Sequence, residues 1–175
     1  INAEQRWVRV QPGIVLDELN AVLAEHGLLF APDPATGNRA TIGGMIGNNA
    51  SGTRSIVYGI TRQHVLETKT LLADGTILDL KELSADEYDR CAKQSNGNKR
   101  QAEIFDRFRN IINANKDEIE KRFPKNMRRV QGYNLDSFVG TDKWNLAELI
   151  VGSEGSLGIS LEAKLNLEPL PKNKD

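Results

Sequence analysis

Two stretches of the 175-residue sequence hold residue types whose spacing suits binding chemistry. The first runs Pro32-Asp33-Pro34-Ala-Thr-Gly37-Asn-Arg-Ala-Thr41-Ile42-Gly43-Gly44-Met-Ile-Gly47-Asn48-Asn49-Ala50-Ser51-Gly52. Side chains nearly vanish at Gly43, Gly44, Gly47, Ala50 and Gly52. Backbone can therefore approach a ligand closely there, and successive N–H groups can point the same way. Thr41 stands where a helix N-cap would, which makes residues 43–50 a candidate short helix whose amides face an anion such as a pyrophosphate. The stretch is neither a Walker A loop, lacking Gly-Lys-Ser/Thr, nor a Gly-x-Gly-x-x-Gly fingerprint after a strand. A glycine-rich turn packed against a neighbouring helix uses the same residues, and the pattern alone leaves both readings open.

The second stretch is Gly152-Ser153-Glu154-Gly155-Ser156-Leu157-Gly158-Ile159, with three glycines in seven residues and a carboxylate among them. It suits a loop that meets a polar ligand through backbone groups; an ordinary strand connection reads the same way. Two such stretches, each abutting a regular element, point together to one shared cleft.

The remaining reactive types are sparse. His64 opens an expected strand away from both glycine stretches and reads as strand-packing or solvent-facing, not catalytic. His26 ends an amphipathic helix as a dipole partner, and Cys91 sits in an expected helix without a companion. Glu154 has the type of a general base, but its setting favours a polar ligand contact or backbone ordering. The cluster Lys121, Arg122, Lys125, Arg128 and Arg129 reads as a solvated helix end, with docking of an acidic partner or nucleic acid as the lesser reading.

The elements that must position these groups follow from periodicity. Residues 6–11 alternate as a strand ending at Pro12-Gly13. Val15, Leu16, Leu19, Val22 and Leu23 make a helical stripe closed by Gly27. Residues 65–72 and 76–80 are β-rich runs joined by Ala73-Asp74-Gly75, a hairpin. Residues 148–151 read as a short apolar strand. Ile159, Leu161, Ala163, Leu165 and Leu167 alternate with Ser160, Glu162, Lys164 and Asn166 as a half-buried strand. Between these, Ser84-x-x-Glu87 forms a capping box. After the polar break Gln94-Ser-Asn-Gly-Asn98, Ile104, Phe105, Phe108, Ile111 and Ile112 define a one-faced helix, and residues 117–123 continue as a shorter one up to Pro124. The fold class is α+β, a largely antiparallel sheet flanked by helices, with a helical insertion.

Composition agrees. Hydrophobic residues make up 39% and charged ones 27%, with mean hydropathy −0.46, as in a globular domain. The net charge of −1 argues against a surface tuned to nucleic acid or anionic membrane. It is segregated, however. Residues 81–130 hold 13 of the 23 basic and 9 of the 24 acidic residues, so this window is +4 and the remainder −5. One cysteine excludes a disulfide framework, two histidines cannot build a Cys/His zinc site, and no apolar run is long enough to span a bilayer. The opening INAEQRWVRV lacks the layout of a signal peptide.

As an ordered set, the motifs resemble the FAD-linked oxidases and dehydrogenases of the vanillyl-alcohol-oxidase type. They look most like the D-lactate, glycolate and D-2-hydroxyglutarate dehydrogenase branch. The matching residues are Val10-Gln-Pro12-Gly13, Pro32-Asp33-Pro34, residues 41–52 and Tyr58-Gly59-x-x-Arg62. They continue with Leu72-Ala-Asp74-Gly75-Thr76, Gly132-Tyr133-Asn134-Leu135 and Val151-Gly152-Ser153-Glu154-Gly155-Ser-Leu-Gly158-Ile159. The resemblance implies the second subdomain of a PCMH-type FAD-binding domain, residues 1–80 and 128–175 forming its body and about 81–127 an insertion. It implies that the family's first phosphate-loop subdomain and its substrate domain lie outside this sequence.

For the site, the resemblance implies FAD held by Pro32, Thr41, Ile42, Gly43, Gly44, Gly47, Asn48, Ser51, Gly52, Gly59, Glu154, Gly155, Gly158 and Ile159. Pyrophosphate and ribityl chain would lie on residues 41–52, and adenine on the Ile159 backbone. Gly44→Val is then expected to lose flavin while leaving the fold largely intact. The resemblance also implies hydride transfer from a D-2-hydroxy acid to FAD, with the rest of a larger enzyme as partner, including an iron–sulfur module as in large bacterial members. It places the protein in the cytoplasm or at the inner face of the membrane. Two alternatives stand beside it: an interaction module working through the basic insertion, and an oxidase that passes electrons to oxygen.

Overall fold

The computed structural model describes residues 1–93, 98–126 and 129–171. The expected break at 94–98 therefore lies, except for Asn98, outside the described residues, as does Arg128 of the basic cluster.

The chain runs β1 (Trp7–Val10), α1 (Leu16–Ala24), β2 (Leu28–Leu29), α2 (Ile42–Gly47), α3 (Ser55–Tyr58), a 3-10 turn (Thr61–His64), β3 (Val65–Leu71) and β4 (Ile77–Ser84). It continues with α4 (Ala85–Lys93), α5 (Lys99–Arg122), a second 3-10 turn (Leu135–Phe138), β5 (Lys143–Asn145), α6 (Ala147–Ile150), β6 (Ile159–Asn166) and β7 (Glu168–Pro169). Five strands form one antiparallel sheet in the order β1-β6-β3-β4-β5, and β2 pairs with β7.

Register explains the sheet's two faces. Val8 pairs with Leu165, Val10 and Thr68 with Ala163, and Thr68 with Leu80. All of these are buried and face the helices. One residue along, the pleat turns Arg9, Glu67, Glu162 and Lys164 to the other face. There Arg9 bridges Glu67 and Glu162 at 2.9 Å each, and Lys164 bonds Glu67 at 3.0 Å. The alternation read from residues 159–167 is thus real at its C-terminal end, while Ile159 at the other end is 63% exposed.

The helix starts follow their local chemistry. The Thr41 hydroxyl accepts the Gly44 N–H at 3.2 Å and begins α2, as expected of an N-cap. In the capping box the Ser84 N–H donates to the Glu87 carboxylate at 2.9 Å. The two expected helices of the insertion are one, because α5 runs unbroken from Lys99 to Arg122. Its buried Phe105, Phe108, Ile112 and Ile119 hold it along a single stripe, whereas Ile111 is exposed. Phe105 and Phe108 join Tyr88, Phe138 and Trp144 in an aromatic cluster with ring centroids 4.8 to 5.9 Å apart. β4 extends to Ser84, into the stretch expected as the start of the insertion.

One expectation is overturned. Residues 148–151 read as a strand, but 148–150 belong to the helical turn α6 and Val151 is its extended C-cap. Its ends are held by side chains from elsewhere in the sequence. Asn145 Oδ1 accepts the Ala147 N–H at 3.0 Å, and Asn134 Nδ2 donates to the carbonyls of Glu148 and Val151 at 2.9 and 2.7 Å. A four-residue apolar run carries no period that distinguishes the two states, so capping decides.

Candidate functional site

The two glycine stretches meet. Thr41, Gly43, Ile46 and Gly47 from the first face Ser153, Gly155, Gly158, Ile159 and Ser160 from the second across a cleft of about 370 Å³. Pro12 and Gly13 close one side, and Ile150 of α6 lies in the floor. The lips are stitched by main chain. The Gly152 N–H donates to the Ile46 carbonyl at 2.9 Å, and the Glu154 N–H to the Gly47 carbonyl at 2.8 Å. The loop reaches these carbonyls because Gly152, Glu154 and Gly155 adopt positive φ (86°, 51° and 78°). A smaller recess of about 160 Å³ adjoins the cleft, sharing Gly155, Gly158 and Ile159 and bounded by Leu71, Leu72 and Ala73 of the hairpin.

The amides at the start of α2 do not face the cleft as the sequence suggests. Ile42 N–H donates to the Ile14 carbonyl at 2.9 Å, Gly43 N–H to the Pro12 carbonyl at 2.8 Å, and Gly44 N–H to Thr41. The helix start is consumed by the strand-to-helix turn at residues 12–14. Among the described residues no charged side chain lines the cleft; the polar side chains there are the hydroxyls of Thr41, Ser153 and Ser160. Such a lining suits sugar hydroxyls, ring edges and peptide-like groups held by hydrogen bonds. Phosphate charge needs partners beyond these twelve residues.

Glycine serves two different ends around the cleft. At Gly43 a methyl group would sit 2.7 Å from Pro12 Cβ, and at Gly158 it would sit 2.7 Å from Thr70 Cγ2. These glycines allow the protein to pack against itself. At Gly13, Gly47 and Gly155 a methyl group would meet nothing within 4 Å, and only Gly155 has a positive φ. At Gly13 and Gly47 the fold itself gives no reason for glycine. A side chain there would occupy the cleft, as expected of a cradle kept clear for a ligand. At Gly44 a methyl group would lie 3.2 Å from Thr41 Oγ1, so a branched side chain there presses on the helix cap before it reaches any ligand. Whether Gly44→Val spares the fold turns on how far the Thr41 hydroxyl can give.

Of the fourteen residues singled out by sequence, Thr41, Gly43, Gly47, Gly155, Gly158 and Ile159 line the cleft. Gly44, Asn48 and Glu154 flank it as cap, helix terminus and loop. Ile42 is fully buried and packs in the core. Gly59 ends α3 with a positive φ against Gln63, while Pro32 and Gly52, with Ser51 preceding it, sit at Asp33. Its carboxylate accepts the Arg54 N–H at 2.9 Å and the Thr53 hydroxyl at 3.1 Å. Its carbonyl lies so close to Gly52 that a methyl group there would be only 1.9 Å away. Pro12, Gly13, Ser153 and Ser160 are lining residues that residue-by-residue reading missed. For the first two, a proline–glycine pair directly after a strand was the available clue.

The other reactive groups serve the fold. His64 is buried, its Nε2 2.8 Å from the Tyr58 carbonyl and its ring edge-on to Phe30. His26 is exposed beyond the end of α1, and Cys91 is a free, half-buried thiol on α4. In the basic cluster, Arg122 pairs with Glu118, while Arg129 pairs with Asp136 and lies 4.9 Å over the Phe123 ring. Among the described residues no group of acidic, histidine or cysteine side chains is arranged to hold a metal, and no helix is long and apolar enough to cross a membrane.

This cleft in an antiparallel α+β frame defines the class. Alkyldihydroxyacetonephosphate synthase superposes with a TM-score of 0.59 at 20% identity, covering 99% of this chain and 21% of that one, which shows the fold. Residues 1–81 match the family model described as FAD binding domain. The chain is 44% identical over 174 residues to D-2-hydroxyglutarate dehydrogenase of Pseudomonas putida, covering 98% of this chain and 17% of that protein. It is 32% identical over 165 residues to the mitochondrial D-lactate dehydrogenase [cytochrome] of Kluyveromyces lactis, covering 94% and 19%. It is 28% identical over 174 residues to glycolate oxidase subunit GlcD of Bacillus subtilis, covering 99% and 26%. The FAD binding domain model thus matches the first 81 residues, and the chain is similar along nearly its whole length to one part of these D-2-hydroxyglutarate and D-lactate dehydrogenases and of the glycolate oxidase subunit. It spans less than a fifth of the D-2-hydroxyglutarate dehydrogenase it matches.

Proposed function

We propose that the cleft between residues 41–47 and 153–160 holds part of FAD within a larger oxidoreductase acting on a D-2-hydroxy acid. The observation that carries this is the pair Gly13 and Gly47, whose missing side chains keep the cleft clear although the fold does not require glycine at either position. The buried Asn49 Nδ2, which has no hydrogen-bond partner among the described residues, adds an unused donor directly after α2.

In this reading Gly13, Gly47 and Gly155 admit the cofactor to backbone contact, and the hydroxyls of Thr41, Ser153 and Ser160 bond its polar edges. The exposed start of β6 at Ile159 offers main chain to a ring edge. The apolar contacts of Ile46 and Ile150 exclude water from the buried side. The bound flavin supplies the hydride acceptor; this chain supplies binding and orientation. The substrate class is taken from the dehydrogenase relatives, since among the described residues that line the cleft none has the character of a catalytic base.

The test is flavin content of the full-length polypeptide carrying this segment, followed by bleaching of the flavin absorbance with D-2-hydroxyglutarate, D-lactate or glycolate. Bleaching by one of them is expected. A folded protein that neither retains nor takes up FAD would overturn the reading.

A further inference from the structure

We propose that Arg62 and Asn134 are positioning residues that set the spacing between the two lips of the cofactor cleft. Neither lines the cleft. Both belong to a circuit of hydrogen bonds that closes around it, and their assignment to FAD rests on the reading given above.

The circuit begins at Asn49, directly after α2, whose Oδ1 accepts the main-chain N–H of Arg62 at 3.0 Å. The Arg62 guanidinium donates through Nη1 to Asn134 Oδ1 at 3.1 Å and to Ser137 Oγ at 3.3 Å. Asn134 Nδ2 donates to the Val151 carbonyl at 2.7 Å and to that of Glu148 at 2.9 Å. Val151 leads into Gly152, and the Gly152 N–H returns to Ile46 in α2 at 2.9 Å. Both lips are therefore fixed to one small set of side chains. Asn49 is fully buried and Asn134 is 1% exposed, so little water competes for these bonds.

The residue types are specific to the task. Asn134 accepts from a guanidinium while donating to two carbonyls, a combination that aspartate cannot supply. Arg62 reaches Asn134 and Ser137 through the one nitrogen Nη1, which also lies 3.7 Å from the Asp136 carboxylate, and a lysine would put a flexible point charge in place of this planar group. A carboxylate at 134 keeps the Arg62 contact but turns an acceptor toward two carbonyls, so it should push the loop at residues 151–154 away from α2.

The experiment compares Asn134→Asp, Arg62→Lys and Tyr88→Phe in the full-length polypeptide. Tyr88→Phe removes a buried bond to the Phe105 carbonyl, remote from the cleft, and serves as a control for stability alone. Three quantities are read: the FAD dissociation constant, the visible circular dichroism of bound flavin, and hydrogen exchange at the Gly152 and Glu154 amides. Asn134→Asp and Arg62→Lys should weaken FAD about tenfold or more, shift the flavin dichroism and speed exchange at both amides. Tyr88→Phe should lower Tm and leave all three unchanged. If Asn134→Asp does not fold, Arg62→Lys carries the test. Wild-type FAD affinity and dichroism in both variants would overturn the proposal. So would loss of FAD in Tyr88→Phe in proportion to its loss of Tm. Faster amide exchange in a protein whose wild type binds no FAD would support the positioning role and defeat the cofactor reading.

Discussion

The main-chain N–H of Glu154 donates to the carbonyl of Gly47 at 2.8 Å, joining the loop before β6 to the last residue of α2. This bond satisfies a carbonyl that a helix end would otherwise leave open. It also fixes how far apart the two lips stand, with Gly47 facing the space between them. One residue thus completes the helix, anchors the opposite lip and keeps its own side of the cleft clear.

That geometry separates binding from stability at Gly47. Glycine in a helix costs up to about 1 kcal/mol relative to a good helix former. A Cβ added at Gly47 meets nothing within 4 Å, and the position requires no positive φ, so Gly47→Leu enters the helix without a clash at its first carbon. The variant should melt at or above the wild-type temperature while retaining little or no FAD. Thermal melting and flavin absorbance on the same preparations check this, and full flavin content in the variant would remove Gly47 from the cradle.

Gly43 should behave in the opposite manner. Its added methyl group would press on Pro12 at 2.7 Å and on the Pro12 carbonyl at 3.1 Å, where backbone must move. Gly43→Ala should therefore cost about 1 to 3 kcal/mol of stability, with flavin loss following the loss of fold. Denaturant unfolding of the two variants side by side distinguishes packing glycine from ligand glycine.

What sequence could and could not reveal divides along the same line. The Thr41 cap, the Ser84–Glu87 box and the alternation at residues 163–167 are local and were legible. Local chemistry also marked both glycine stretches. It could not show that the α2 amides are taken by Pro12 and Ile14, because that depends on where β1 delivers the chain. The misread turn at 147–150 is capped in part by Asn134, and the Arg62–Asn134 bond joins residues 72 apart in sequence. Neither leaves a periodic trace.

Asp33 is expected to hold the second cluster of sequence-selected residues in place. Its carboxylate is the acceptor for both the Thr53 hydroxyl and the Arg54 N–H, and its side chain is only 26% exposed. Asp33→Ala should cost about 1 to 2 kcal/mol and speed hydrogen exchange through residues 53–59, leaving the amides of Gly152 and Glu154 protected. Uniform loss of protection across both lips would show instead that the two clusters unfold as one unit.

Glu148, on α6 beneath the cleft, gives the pH dependence. Burial raises its carboxyl pKa, against the opposing influence of the Ser137 hydrogen bond and the Arg62 guanidinium. A folded-state value above the unfolded one means that the native protein holds this proton more tightly. The associated stability is present in acid, below the unfolded pKa, and is lost as pH rises through the folded value. At neutral pH the ionised carboxylate is then a net burden on the fold. Glu148→Gln, which keeps the shape and removes the charge, should raise Tm at about pH 7 and leave it nearly unchanged at about pH 3.5, where glutamate is protonated in either state. Thermal melts of both proteins across this range provide the check. An equal gain at both ends would assign the effect to packing, and a loss at neutral pH would show that the Arg62 attraction outweighs burial.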